Sequence, residues 1–268
     1  VIKGLGIRLG LMASIGVDLG GAVDAHTHCY PDMSINEEMI KLSRMLGIEQ
    51  LWVSYHPYSM SSFRPPPEEV WRVNEFVYNL SRRFREVRGF VHVNPLNEDA
   101  VKVTRHFIEE RGFIGVKLYR AVRVNRRVVD PVIEVAVEND VPVLIHTAHR
   151  LYPNPRPNES EPDDIRSLAL RFPRAKIIMA HITGGGDWEY AVGRVRDLPN
   201  VYVDVGGSVA DYGSVEEAVK VLGADRVLFA TDTLIAAAVA RILDAELNDE
   251  DRVKVLRLNA LRLIGDGQ

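Results

Sequence analysis

At 268 residues the chain can bury a large core, and it is close to the usual size of a single parallel α/β barrel, about 250 residues. Its composition, 46% hydrophobic and 26% charged with a net charge of −4, excludes the cationic footprint of a nucleic-acid binder. One cysteine, Cys29, excludes an internal disulfide and fits a reducing compartment.

Segment 1–21 reads as irregular. Lys3 and Arg8 precede an apolar stretch, 9–17, that imitates a secretory leader, but glycines interrupt it and a strand follows almost at once. Cleavage there would leave that strand at the new terminus, so the expectation is a cytoplasmic protein that keeps the segment. No run approaches a transmembrane helix in length, and no membrane partner is expected.

The first strand candidate, 22–28, contains Asp24-Ala-His-Thr-His28. Alternation puts residues i and i+2 on one face, so His26 and His28 point together, with Asp24 beside them as a hydrogen-bonding partner. Cys29 then points away as a small buried apolar group. Ser34 and Glu37 read as a capping box opening the first helix, with Ser34 as N-cap. Further strand candidates lie at 50–56, 89–94, 113–119, 141–147, 176–181, 200–205 and 226–231. Most are short, rich in Val, Ile and Leu, and nearly continuous in hydrophobicity, as strands covered on both faces should be. Amphipathic stretches predict helices near 67–87, 98–111, 130–139, 162–172, 188–197, 214–222 and 249–264. Two Pro-rich loops, 57–67 and 151–162, follow the second and fifth strands and are placed to shape a pocket.

Eight β-α repeats in this length predict a single (β/α)8 TIM barrel over residues 1–268. A doubly wound sheet would need a glycine-rich phosphate turn after an early strand, and the glycines at 184–186 follow the sixth strand with the wrong spacing. Barrel active sites lie at the strand C-terminal ends. There the sequence places His26, His28, His146, His181 and Asp232, a ligand set for a divalent metal such as zinc. Asp232 closes an apolar run, where a carboxylate is expensive to bury without a cation or strong hydrogen bonds. His56 and His92, at the ends of strands two and three, and His149 are candidates for substrate contact or satisfied core positions. His106 reads as a surface residue, and Asp204 with glycines 184–186 as turn and strand-end elements. Arg64, Arg120, Arg150 and Arg156 are candidates for clamping a substrate carboxylate.

Six ordered pieces carry a family resemblance. They are Asp24-Ala-His-Thr-His28, Gly115-Val-Lys-Leu-Tyr119, Pro142-Val-Leu-Ile-His-Thr147, Arg171-Phe-Pro-Arg-Ala-Lys-Ile-Ile-Met-Ala-His181, Pro199-Asn-Val-Tyr-Val-Asp204 and Gly223-Ala-Asp-Arg-Val-Leu-Phe-Ala-Thr-Asp232. From Val23 onward the chain resembles the amidohydrolase superfamily, and more closely its branch of compact barrel hydrolases and decarboxylases. The resemblance implies that His26, His28 and Asp232 bind the more buried metal and that His146 completes a mononuclear site. It also implies that His181 polarises substrate or orients water while Asp232 shuttles the proton. In binuclear relatives a carbamylated lysine, here Lys117, bridges two metals and His181 joins the ligands. The alternative pairs Lys117 with Asp24, Asp232 or an anionic substrate, and this version with one zinc ion per chain is the favoured expectation.

Three functions follow. The first is metal-dependent hydrolysis of an amide, lactone or ester-like centre in a small molecule, since a metal lowers the pKa of bound water from 15.7 to about 7. The second is non-oxidative decarboxylation of an aromatic or unsaturated acid at the same site, with Trp52, Tyr55, Phe63 and Trp188 as candidate lining. The third, a non-catalytic barrel with a structural metal, predicts a closed four-ligand site. Dihydroorotase is disfavoured because Tyr30 stands where that enzyme carries an arginine. Barrel helices in relatives often pair, which implies a homodimer.

Overall fold

The computed structural model describes residues 16–150, 156–182, 187–208 and 211–266. Eight parallel strands, β1 (Ala22–Cys29), β2 (Ile48–Tyr55), β3 (Val87–Val93), β4 (Gly115–Leu118), β5 (Val143–Ile145), β6 (Ile177–Met179), β7 (Val201–Asp204) and β8 (Val227–Leu228), pair in chain order. The Ala25 N–H donates to the Phe229 carbonyl (3.0 Å) and the Asp232 N–H to the His26 carbonyl (2.8 Å), joining the last strand to the first. The result is the (β/α)8 TIM barrel that the β-α repeats predict.

Outside it lie α1 (Met33–Met45), α2 (Pro67–Arg83), α3 (Ala100–Arg105), α4 (Asp130–Glu138), α5 (Pro162–Arg171), α6 (Trp188–Val195), α7 (Ser214–Leu222), α8 (Ile235–Asp244), α9 (Asp249–Val253) and α10 (Asn259–Ile264). Two details differ from expectation. Asp32, not Ser34, caps α1: its carboxylate accepts from the Ser34 N–H (2.9 Å) and hydroxyl (2.8 Å), while Glu37 pairs with Arg83. Helix α8 was absent from the predicted set, yet it buries Ile235, Ala238, Val239 and Ile242, an i, i+3, i+4, i+7 stripe. It is the eighth barrel helix, and the predicted 249–264 helix has another task.

That task is visible in how the core divides. Strand residues Val53, Val91, Val116, Val143, Ile177 and Val203 belong to the larger cluster, packed with the helices. Val23, Ala25, Trp52, Phe90, Leu144, Ile178 and Leu228 form a second cluster together with Ala260, Leu261 and Leu263 of α10. Alternation identifies these as inward-facing layers, with α10 plugging one end of the barrel. Gly115 has no Cβ because one would collide with the Phe90 ring. Trp52 and Tyr55 are therefore core residues and not pocket lining.

Strand β1 departs from simple alternation. Its register against β2 shifts between Asp24 and Thr27. Such a bulge changes which side chains face inward, so Val23 and Ala25 join the inner cluster while His26, within the shift, and His28, beyond it, are buried against Asp232. Cys29 faces the outer core, as expected, and is fully buried, which pushes its thiol well above its usual range. A thiol-specific reagent should label Cys29 only as fast as the protein unfolds. Rapid labelling under native conditions would contradict this packing.

Candidate metal centre

Helix α1 follows β1 closely, and the strand ends carry the site. Arg120, His181 and Asp232, each just past β4, β6 or β8, have left-handed backbones with φ of 46°, 63° and 46°. Non-glycine residues pay of the order of 1–3 kcal/mol each for this, a strain that clusters at functional sites.

Asp232 is the meeting point. Its Oδ1 lies 3.2 Å from His28 Nε2 and 3.5 Å from His26 Nε2, and its Oδ2 lies 3.2 Å from His181 Nε2. Ligand atoms of His26, His28 and Asp232 all fall within 4.8 Å of one another, the one such group of three among the described residues. Each imidazole is held from its far side: Asp204 Oδ2 lies 3.0 Å from His26 Nδ1, and Ser54 Oγ lies 3.0 Å from His28 Nδ1. These contacts turn both Nε2 atoms toward the centre, where that of His26 meets Lys117 Nζ at 2.7 Å.

Burial, with Lys117 adding to it, brings His26 down to about 3, and burial likewise lowers His28, so both are neutral, the form that ligates. Burial opposes charge on His181 and Asp232 too, but here the pair's mutual attraction prevails. His181 is raised, and Asp232 is held well below the usual carboxylate range. His181 Nε2 makes no aligned hydrogen bond despite its proximity to Asp232.

His146 stands apart from the trio. Its Nε2 lies 2.8 Å from Glu159 Oε1, while its Nδ1 is buried without a partner. Its ring lies 4.9 Å from that of His181. Two converging imidazoles, an ionised carboxylate and an orphaned ring nitrogen fit a divalent cation.

Lys117 is fully buried, and its Nζ donates to His26 Nε2 at 2.7 Å. Burial brings the ammonium down to about 8, against the pull of Asp232 and Asp204. Its hydrogen-bond partner is thus an imidazole and not Asp24. Asp24 is also not a partner of the histidine rings, because the bulge turns it toward the β8 edge. There it accepts from the Thr231 N–H (2.9 Å) and hydroxyl (2.6 Å).

Burial raises the Asp24 carboxyl to about 7 from 3.8. The folded state therefore prefers the neutral acid, and this contribution, complete below about pH 4, is lost as pH rises through 7. Asp24→Asn should remove that slope: from pH 5 to pH 8 the denaturation midpoint of the wild type should fall by more than that of the variant. Parallel pH profiles would refute it.

A cavity of about 350 Å³ opens over the centre, walled by His28, His56, His146, His181, Asp232, Tyr58, Tyr119, Arg150 and Arg156 among others. Burial, with His28 adding to it, brings His56 down to about 4; its ring stacks on Tyr30 at 4.5 Å. Arg150 is paired with Glu159, and Arg156 lies 3.5 Å from the Tyr58 hydroxyl. Arg120 lies over the Phe63 ring, 4.4 Å from its centroid, and is not among the cavity walls. Arg64 is occupied by the Ala121 carbonyl, and His149 by Glu161 and Tyr190. His92 is buried, in register with Lys117 and outside the cavity lining. His106 lies in a π-helical turn beside Glu110. Trp188 opens α6. Residues 151–155 of the second Pro-rich loop, glycines 184–186 and residues 1–15 lie outside the described residues.

Sequence reasoning missed two carboxylates. Asp204, read as a strand-end element, is fully buried: its Oδ1 accepts from the His181 N–H (3.1 Å) and the Gly206 N–H (2.9 Å) while Oδ2 orients His26. Its signal was the one applied to Asp232, a carboxylate ending an apolar strand. Glu159 lies in a polar loop, where nothing local marks it.

The sequence model of the family described as Amidohydrolase matches residues 23–265. No curated protein sequence matches the chain. Among solved structures, a dihydroxybenzoic acid decarboxylase from Polaromonas sp. JS666, with bound manganese and the inhibitor 2-nitroresorcinol, superposes with a TM-score of 0.73 at 18% identity, over 93% of this chain and 98% of that one. The 5-carboxyvanillate decarboxylase from Sphingomonas paucimobilis gives 0.69 at 14% identity, over 92% and 99%. The 4-oxalomesaconate hydratase from Rhodopseudomonas palustris gives 0.67 at 19%, over 87% and 82%. Identities this low establish likeness of fold. Among the described residues no helix is long and apolar enough to cross a membrane.

Proposed function

Because the chain belongs to the amidohydrolase family, we propose that it is a metal-dependent hydrolase acting on an amide, lactone or ester-like centre of a small anionic molecule. The observation that carries this is the two-sided placement of Asp232, one oxygen toward the His26–His28 pair and the other toward His181. His26, His28 and Asp232 would hold the cation, with His146 as a further ligand. Bound there, the cation supplies Lewis acidity. One ion per chain is the reading; the imidazole-rich set suits zinc, and manganese is the natural second ion to try.

The chain's own residues supply the proton path. Asp232, kept ionised, accepts a proton from the attacking water and delivers it to the leaving group. Against the opposing effect of burial, the Asp232 carboxylate biases the His181 imidazole toward the protonated form, which donates to the oxyanion that develops. Arg156 at the cavity wall favours an anionic substrate arm while Arg150 is engaged by Glu159, and His56, neutral above about pH 4, adds a hydrogen-bonding wall without charge. We place the enzyme in the cytoplasm on its single, buried thiol, and take a homodimer as the assembly to test by light scattering.

A second reading is decarboxylation of an aromatic acid. It is favoured by two tyrosine rings in the cavity wall, Tyr58 and Tyr119, with centroids 6.2 Å apart, beside the arginines; Phe63 packs against both but is not itself a wall residue. The experiment is a panel of lactones, amides, esters and hydroxybenzoates run with zinc- or manganese-reconstituted protein in ¹⁸O-labelled water and in D₂O. Hydrolysis places one solvent ¹⁸O in the product. Release of CO₂ with deuterium on the former carboxyl carbon would replace the hydrolytic reading by the second, and inertness toward the whole panel would count against both.

A further inference from the structure

Glu159 lies thirteen residues beyond His146, across the Pro-rich loop, yet its carboxylate is buried against that ring. The chain is brought back by a bridge between Thr147 and Ser160, in which the Ala148 N–H donates to the Ser160 carbonyl (3.0 Å). The Ser160 hydroxyl in turn accepts from the Val124 N–H (3.1 Å). Glu159 is therefore fixed on both sides. Oε1 faces His146 Nε2 at 2.8 Å, and Arg150 spans the carboxylate, Nε donating to Oε2 at 2.9 Å and Nη2 to the shared Oε1 at 3.2 Å.

An ionised carboxylate only accepts hydrogen bonds. The imidazole must therefore donate from Nε2, which leaves the lone pair on Nδ1. That Nδ1 is buried and has no partner, in a ring that walls the cavity beside His181. An unpaired buried acceptor is costly unless something occupies it.

We infer that Glu159 is a positioning residue that fixes His146 in the Nε2–H tautomer, so that Nδ1 is the nitrogen offered to a metal ion. The inference rests on the metal site of the proposed function, and it assigns a role to a loop carboxylate. Arg150 constrains any replacement. It donates to both oxygens, with its shorter bond to Oε2 on the side away from His146, so a glutamine with a single oxygen cannot accept from Arg150 there and from His146 at once.

Glu159→Gln provides the test. The glutamine's single oxygen is claimed by Arg150, which turns its NH₂ toward His146; Nε2 must then accept, and the proton moves to Nδ1. Two measurements follow on metal-free wild-type and variant proteins: two-bond ¹⁵N–¹H spectra of the histidines, and calorimetric titration with Mn²⁺ and with Zn²⁺. The expected result is an Nε2–H signal for His146 that is lost in E159Q, with metal affinity weaker by about 10–100-fold. In a His146→Ala background the E159Q substitution should change metal affinity no further, which a general structural role would not produce. An unchanged tautomer in E159Q, or an undiminished affinity, overturns the inference. If the wild type binds neither ion, the metal reading falls, while the tautomer spectra still decide what Glu159 does to His146.

Discussion

Asp232→Asn is expected to lower turnover by about 10³-fold or more at saturating metal, with the melting temperature within a few degrees of the wild type. The two expectations have separate causes. The fold is spared because the barrel is closed through the main-chain N–H of Asp232, bonded to the His26 carbonyl at 2.8 Å, which the substitution leaves intact. Chemistry is lost because the amide can no longer take a proton, and general acid–base assistance is itself worth about 10²–10⁴-fold. The change also removes the anion that raises His181. Its imidazole should therefore titrate at lower pH in the variant, readable by NMR without any substrate. Turnover within tenfold of the wild type would remove Asp232 from the mechanism.

The barrel was legible because its strands are apolar on both faces, and periodicity finds such runs easily. Strand lengths were less so: β5 and β8 keep only three and two residues in the ladder, shorter than the apolar runs 141–147 and 226–231 that announce them. Helix α8 escaped although its apolar residues Ile235, Ala238, Val239 and Ile242 keep a helical period, because the 249–264 pattern takes the place of the eighth barrel helix. His26, His28 and Asp232 were legible as a group because each ends an apolar strand, and the structure brings these three together. Asp24 shows where alternation fails: a bulge is invisible to a period-two reading, and one extra residue re-aims the side chain. Glu159 shows a second kind of blindness. Its partner is set by a loop that returns to its own strand, and no local pattern encodes that return.

Lys117 is the residue most at odds with a cation beside His26. At an assumed separation of about 4 Å and an effective dielectric of about 20, an ammonium and a divalent ion would repel by roughly 8 kcal/mol. Losing the proton is far cheaper. Burial already brings the lysine down to about 8, so deprotonation at pH 7 costs only of the order of 1 kcal/mol. The lysine should therefore surrender its proton when metal binds, and His26 Nε2, now its hydrogen-bond acceptor at 2.7 Å, becomes free to ligate. Wild-type metal affinity should then rise about tenfold per pH unit below pH 8 and flatten above it. Lys117→Met has no proton to expel, so it should bind about tenfold more tightly at pH 7, without that slope, and still hold one ion per chain. A wild type that holds two ions, dropping to one in Lys117→Met with loss of bound CO₂, would instead identify the lysine as a carbamate bridge. The same titration thus decides whether the charge buried beside His26 guards a single-ion site or is converted into a ligand for a second.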